Sequence, residues 1–346
     1  MSRPLERAPA PRALALLGAG LLVLCYLVRE ILLPFALAGI VAFMCAPLIE
    51  RLRARTGLPR ALCATGVLVL AVALGALLGG LWAPMLAGAV QSAGSTLPRT
   101  LARVLGALLG THRIAVLGMH WSAAQIAAAL AHSLQAWLAR PGSAARLLFW
   151  GAGALFELIL TVVLLGYFLI DAPRIGRGLI WLVPPRHREV LYQAGREFAP
   201  LARRYFIGVA LVALYAACLA EIGLGAVLRL AHAPVLALLT GLLELLPFLG
   251  PTIALLVTAL NVLGQLPGAW GVVAFAVYAA TLRISIDQFV GPVLLGRAAD
   301  LRPVLVIFCF LAGGVIFGVV GAILAVPAAL GIKVLLGVLY RAQEVR

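Results

Sequence analysis

The chain is short of charge. Of 346 residues only 11% are Asp, Glu, Lys or Arg, while 64% are hydrophobic, and mean hydropathy is +1.11. A soluble domain carries about 25% charged residues. So few charges cannot cover a water-exposed surface of this size, and the apolar residues come in long blocks instead of 3.6- or 2-residue alternation. A soluble globular protein is excluded, and an integral membrane protein is the class that remains.

Other absences narrow the function. There is no GxxxxGK[ST], so no phosphate-cradling loop for a nucleotide. There is no HExxH and no Ser–His or paired-Asp arrangement for an intramembrane protease; His112, His120 and His132 have no carboxylate nearby. The five cysteines (25, 45, 63, 218, 309) form no CxxC and have no metal-ligand spacing. They read as small buried hydrophobes. An enzyme, a metal site and a bound cofactor are therefore not expected. Lysine is nearly missing too: Lys333 is the one among 27 basic residues, which outnumber 12 acids to give +15. The arginines cluster between apolar blocks, as in loops facing a cytoplasm and anionic lipid heads, and nucleic acid is not the expected partner.

The apolar blocks are 13–28, 31–49, 61–83, 147–170, 207–228, 234–264, 269–283 and 303–340. Block 13–28 reaches roughly 24 Å as a helix, a little short of an about 30 Å core; it lacks a small-residue cleavage site and is expected to stay as a first span. Pro84 is expected to end block 61–83. Residues 1–84 then form an N-terminal group of spans and 85–146 an amphipathic, non-spanning segment. That segment holds five Arg, three His and no acid, with stripes at Leu97, Leu101, Val104, Leu105, Leu108 and at Ile126, Leu130, Leu134, Trp137, Leu138. Residues 147–346 form the C-terminal core, including a basic cytoplasmic segment, 171–206, with seven Arg. The Arg count in short loops puts the N-terminus, 50–60 and 171–206 in the cytoplasm; it leaves 85–146 outside despite its arginines.

The fold expected is all-α, a polytopic transmembrane helical bundle of about seven or eight spans with broken or re-entrant helices in its second half. The clearest break is GLLELLPFLGPTIALL (241–256), which puts Glu244, Pro247, Gly250 and Pro251 into an apolar run. Each proline removes an N–H and strands an upstream carbonyl. At bilayer depth such backbone survives where it is buried in protein or lines a wet cavity, and half-helix ends suit ions and polar solutes. Glu244, Pro247, Phe248, Gly250 and Pro251, with Asp287 and Gln288, are the candidate substrate- or ion-binding residues. A second interruption, GGVIFGVVGAILAVPAA (313–329), makes Gly313, Gly314, Gly318, Gly321 and Pro327 candidate gating or helix-break positions; close helix packing is the competing reading of these glycines. Glu157 and Glu221 are further acids within apolar blocks, Glu221 with Arg229 as a possible partner, and Asp287 has Arg283 one turn away.

Four segments carry a resemblance. LLTGLLELLPFLGPTIALL, YFLIDAPRIGRGLIWLVPPRHR (167–188), IDQFVGPVLLGRAADLRP (286–303) and FLAGGVIFGVVGAILAVPAA (310–329) resemble, in order, segments of the autoinducer-2 exporter family of bacterial membrane permeases. Phe248 stands where that family often has Tyr, and Arg302 where His is common. The resemblance implies an inner-membrane secondary transporter exporting a small polar solute, autoinducer-2 or a related metabolite, ion-coupled by analogy with members that exchange sodium or lithium for protons. A Na⁺(Li⁺)/H⁺ antiporter is the alternative, and a non-transport membrane scaffold a second. Expected partners are the solute or cation, anionic lipid headgroups at the Arg-rich loops, and a second copy of the chain in a homo-oligomer.

Overall fold

The computed structural model describes residues 26–27, 31–109, 114–116, 119–121, 125, 143–181, 183–246, 249–266, 268–295 and 303–344. Block 13–28, apart from Tyr26 and Leu27, lies outside them, as do Pro247, Phe248, Arg302 and the whole of the second amphipathic stripe.

Helices α1 (Leu32–Thr56) and α2 (Arg60–Leu109) are followed by a small antiparallel pair, β1 (Ile114–Val116) and β2 (Met119–Trp121). Then come α3 (Ser143–Trp181), α4 (Pro185–Ala220) and a π-helical turn, π1 (Glu221–Val227). The chain continues through α5 (Ala233–Leu243), α6 (Leu249–Gln265), α7 (Ala269–Ile284), a second π-helical turn π2 (Ser285–Val290), α8 (Gly291–Leu295) and α9 (Pro303–Glu344). Among the described residues, six segments are long and apolar enough to cross a membrane: Leu32–Thr56, Arg60–Gly88, Gly153–Gly178, His187–Val227, Ala269–Leu294 and Val304–Arg341. Their large side chains face outward; Leu70 is 66% exposed and Leu77 60%. Surfaces of that kind need hydrocarbon as solvent, so this is a polytopic helical membrane protein.

Two expectations about helix ends need correcting. Pro84 does not end the third block: it lies inside α2, which runs on to Leu109. Met85, Leu86 and Ala87 after it are apolar, and in lipid a helix that loses one hydrogen bond still satisfies the rest of its backbone. Nor is 269–283 a short span, because π2 and α8 carry the helical path on to Leu295.

The chain forms two compact units. Unit 1 comprises residues 1–72, 156–207 and 297–346. Its core packs Ala38, Ala42 and Ile49 of α1 on Cys63, Ala64 and Val67 of α2 and Leu165 and Leu169 of α3. Pro173 lies inside α3 and has no N–H for the Leu169 carbonyl. Arg60 supplies the missing donor: its Nη2 lies 3.2 Å from Leu169 O and its Nε 3.2 Å from Ile170 O, while Nη1 pairs with Glu50. Part of the basic segment is also used internally. Arg188 donates to the carbonyls of Trp181, the last residue of α3, and of Val183 just after it, both at 2.9 Å, and Glu197 pairs with Arg341 at 2.7 Å.

Within the same unit α9 folds back on itself. Gly318 has φ 63° and ψ −143°. Gly313 and Gly321 would stand about 12 Å apart along a continuous helix, yet a Cβ on either one would collide with the other's carbonyl. Residues 303–317 and 319–344 are therefore two arms of a hairpin whose backbones touch through glycine.

Unit 2 comprises residues 73–155 and 208–296. Its core joins Val212, Ala216 and Ala220 of α4 to Leu224 of π1, Leu236 and Ala237 of α5, Val262 of α6 and Tyr278 and Leu282 of α7. Close approach again rests on glycine: a Cβ on Gly241 would lie 2.6 Å from the Ala213 carbonyl oxygen, and one on Gly223 would lie 2.7 Å from the Tyr278 ring.

Candidate functional site

The break in unit 2 falls where the sequence puts it. Helix α5 stops at Leu243, and the Glu244 N–H closes its last turn on Thr240 O and Gly241 O, both at 3.2 Å. Leu245 and Leu246 turn by bonding to Leu242 O and Leu243 O, and α6 begins at Leu249. Gly250 sits on the Leu243 carbonyl so closely that no side chain fits there. Pro251 behaves differently from expectation. It occupies the first turn of α6, where a backbone N–H has no intrahelical partner anyway, so it does not break that helix.

Glu244 is drawn inside this hairpin, with its side chain only 6% exposed. Arg283 Nη1 donates to its Oε1 at 2.7 Å. The other side of the same guanidinium holds Asp287, with Nη2 2.7 Å from Oδ1 and Nε 3.4 Å from Oδ2. Arg283 is the last basic residue of α7, and Asp287 follows one turn later in π2, so an i,i+4 pair sets up the fork and the α5 terminus completes it. Exposure rises along the chain of charges, from 6% at Glu244 through 21% at Arg283 to 53% at Asp287. Two carboxylates share one guanidinium, which leaves the ionised trio one negative charge in excess.

Hydroxyls converge beside the acid from three helices. Thr240 of α5 and Thr258 of α6 are buried and donate within their own helices, to Leu236 O at 2.8 Å and Ala254 O at 2.7 Å. Their oxygens flank the hydroxyl of Tyr278 from α7, near Glu244. Tyr278 is 7% exposed, and its Oη has no partner at hydrogen-bond geometry. A buried hydroxyl among polar neighbours without a bond of full hydrogen-bond geometry is uncommon.

The remaining candidates are dispersed. Gln288 is exposed beside Asp287 and takes no part in the ion-pair cluster. Gly313, Gly314, Gly318 and Gly321 build the α9 hairpin in unit 1, and Pro327 lines an apolar pocket there. Glu221 does not pair with Arg229. It opens π1, and its Oε2 is buried without a hydrogen bond. Glu157 is exposed on α3. Sequence reasoning missed the central role of Arg283, treated only as a neighbour of Asp287, and missed Tyr278, Thr240 and Thr258 altogether. A cation inside an apolar span was the available signal for Arg283; for the hydroxyls there was none, because their meeting depends on how three helices pack. Among the described residues no group of His, Cys, Asp and Glu is arranged to hold a metal ion.

Comparisons with known proteins agree with this architecture. The chain is 29% identical over 186 residues to a Synechocystis protein named "Putative transport protein sll0063", covering 53% of this chain and 45% of that protein. It is 27% identical over 182 residues to "Putative transport protein YrrI" of Bacillus subtilis, covering 52% and 51%. It is 30% identical over 205 residues to "Putative transport protein MT0215" of Mycobacterium tuberculosis, covering 54% and 52%. The chain thus spans about half the length of these relatives. A family model described as AI-2E family transporter matches residues 14–341, nearly the whole chain, and the protein belongs to that family.

Proposed function

We propose that the protein is a secondary transporter of a bacterial inner membrane, with its N-terminus in the cytoplasm, and that the α5–α6 break with Glu244, Arg283 and Asp287 is where its cargo docks. The observation that carries this reading is a buried acid, Glu244, at a helix break within an apolar unit, linked through Arg283 to the more exposed Asp287. Ionisable groups at bilayer depth are expensive and are retained where they line a solute or proton path. The cargo is a small polar solute moved outward, autoinducer-2 or a related metabolite. Arg283 and the Tyr278, Thr240 and Thr258 hydroxyls offer the donors and acceptors such a molecule needs.

One observation favours a second reading, Na⁺ or Li⁺ exchange for protons. The trio holds two carboxylates against one guanidinium, so a proton or a small cation completes its charge balance. The three hydroxyl oxygens are hard donors of the kind such cations prefer. Both readings place Glu244 at the centre. The test is a flux panel in proteoliposomes, with candidate solutes and cations measured with and without an imposed proton gradient. Glu244→Gln is expected to abolish coupled flux of the true cargo while the protein still reconstitutes. Unchanged flux through folded Glu244→Gln would refute the site. Cation flux without solute flux would select the antiporter.

A further inference from the structure

Unit 1 contains an apolar pocket of about 310 Å³ that plays no part in the site above. Phe35 and Phe43 of α1, Phe198 and Phe206 of α4, and Leu324 and Pro327 from the second arm of α9 form its walls. Its origin is legible in helical spacing. Positions 35, 39 and 43 share one stripe of α1, and 198, 202 and 206 share one stripe of α4. In each stripe a small residue, Gly39 or Ala202, stands between two phenylalanines and leaves the space.

Arg203 does not line the pocket itself; it follows the lining residue Ala202 and stacks on Phe43, which does. Its guanidinium carbon is 5.0 Å from the centroid of the Phe43 ring. Its Nε is buried and donates to nothing. No acid pairs with it among the described residues, since Glu197 on the same helix is held by Arg341. The ring face attracts the cation but offers the N–H no conventional acceptor. A buried guanidinium donor without an anion is an unfinished interaction.

Its position along α4 says what finishes it. Arginines occur at 186, 188, 196, 203 and 204, and from Tyr205 no charge appears until Glu221. Arg203 therefore stands where the charged part of the helix gives way to the hydrocarbon part, the level of lipid headgroups. Guanidinium is the side chain best suited to phosphate, because its donors match two oxygens at once. We propose that this pocket binds one acyl chain of an anionic phospholipid, whose headgroup phosphate accepts the Arg203 N–H.

The experiment uses the full chain in detergent, incubated with equal amounts of phosphatidylglycerol and phosphatidylcholine of matched acyl chains, with retained lipid read by native mass spectrometry. The wild type should prefer phosphatidylglycerol. Arg203→Gln should reduce that preference by about tenfold or more, as loss of a charge-assisted bond implies, and Arg203→Lys should restore part of it. Ala36→Phe, which fills the pocket without touching the arginine, should lower retention of both lipids. Equal retention of the two lipids by the wild type, or an unchanged preference in Arg203→Gln, would overturn the proposal. So would preference for a free fatty acid over phosphatidylglycerol in a parallel competition. If Arg203→Gln does not fold, the wild-type preference and Ala36→Phe decide the matter.

Discussion

Arg283 should be worth more to the fold than its position at a helix end suggests, and the reason is Glu244. Replacing Arg283 with Met keeps the length of the apolar stem and removes the guanidinium. Asp287, 53% exposed, can then find other partners. Glu244, 6% exposed, cannot, and is left as a buried carboxylate without a counter-ion. Breaking a buried pair from one side costs about 3–5 kcal/mol. Because Arg283 is itself one-fifth exposed, a value near the lower end, about 3 kcal/mol, is expected for Arg283→Met. Asp287→Asn removes a partly exposed i,i+4 partner and should cost under about 1 kcal/mol. Adding Glu244→Leu to Arg283→Met removes the stranded charge and should recover most of the loss. The assay is equilibrium unfolding of the purified protein in mixed micelles, comparing the three variants with wild type. The reasoning fails if Arg283→Met is no more destabilising than Asp287→Asn, or if the double variant is worse than the single.

Other parts of the structure make their own forecasts. Gly250→Ala places a Cβ inside the Leu243 carbonyl, so it should open the α5–α6 hairpin and cost more than about 3 kcal/mol as an overpacked contact; Gly66→Ala and Gly79→Ala, with open space around them, should be neutral or slightly stabilising in the same unfolding assay. Gly318→Ala meets no neighbour but must adopt φ 63° and ψ −143°, and a strain of about 1–3 kcal/mol should lower its melting temperature. Arg60→Ala should cost more in the wild type than in a Pro173→Ala background, where Leu169 O regains a backbone donor; a double-mutant cycle should give a coupling of about 1–3 kcal/mol, and zero coupling would refute the assignment. Tyr278→Phe removes a buried, unpartnered hydroxyl, so stability should hold or rise by about 1 kcal/mol; a fall in proteoliposome flux at unchanged stability would tie that hydroxyl to the cargo.

Much of this architecture was legible from solvent logic alone. Sparse charge and long apolar blocks gave the membrane class, and the prolines and glycines around 244–251 and 313–327 marked where helices are interrupted. Local pattern could not tell two kinds of proline apart. Pro84 and Pro251 read as breakers, yet one lies within a continuing helix and the other in a first turn that wants no N–H. The glycines at 313 and 321 proved to be contact points between two arms, a fact that depends on the fold-back at Gly318 and not on spacing. Glu244 stood out because an acid in an apolar run is rare; its partner is 39 residues away on α7, and nothing local announces a pairing over that distance. The Tyr278 hydroxyl was invisible for the same reason, since its surroundings come from α5, α6 and α7 together.

The most direct test of the central claim asks whether the break meets water. In a background without the five native cysteines, single cysteines at 245, 246 and 249 would be compared with cysteines at 70 and 77 on the outward face of α2, for reaction with a membrane-impermeant thiol reagent in inside-out and right-side-out vesicles. The account predicts reaction at one or more of 245, 246 and 249, slowed by the transported solute or ion, and none at 70 or 77. If the three positions in the break stay as inert as the two on the outward face, from both sides and with or without cargo, a docking site at Glu244 is contradicted.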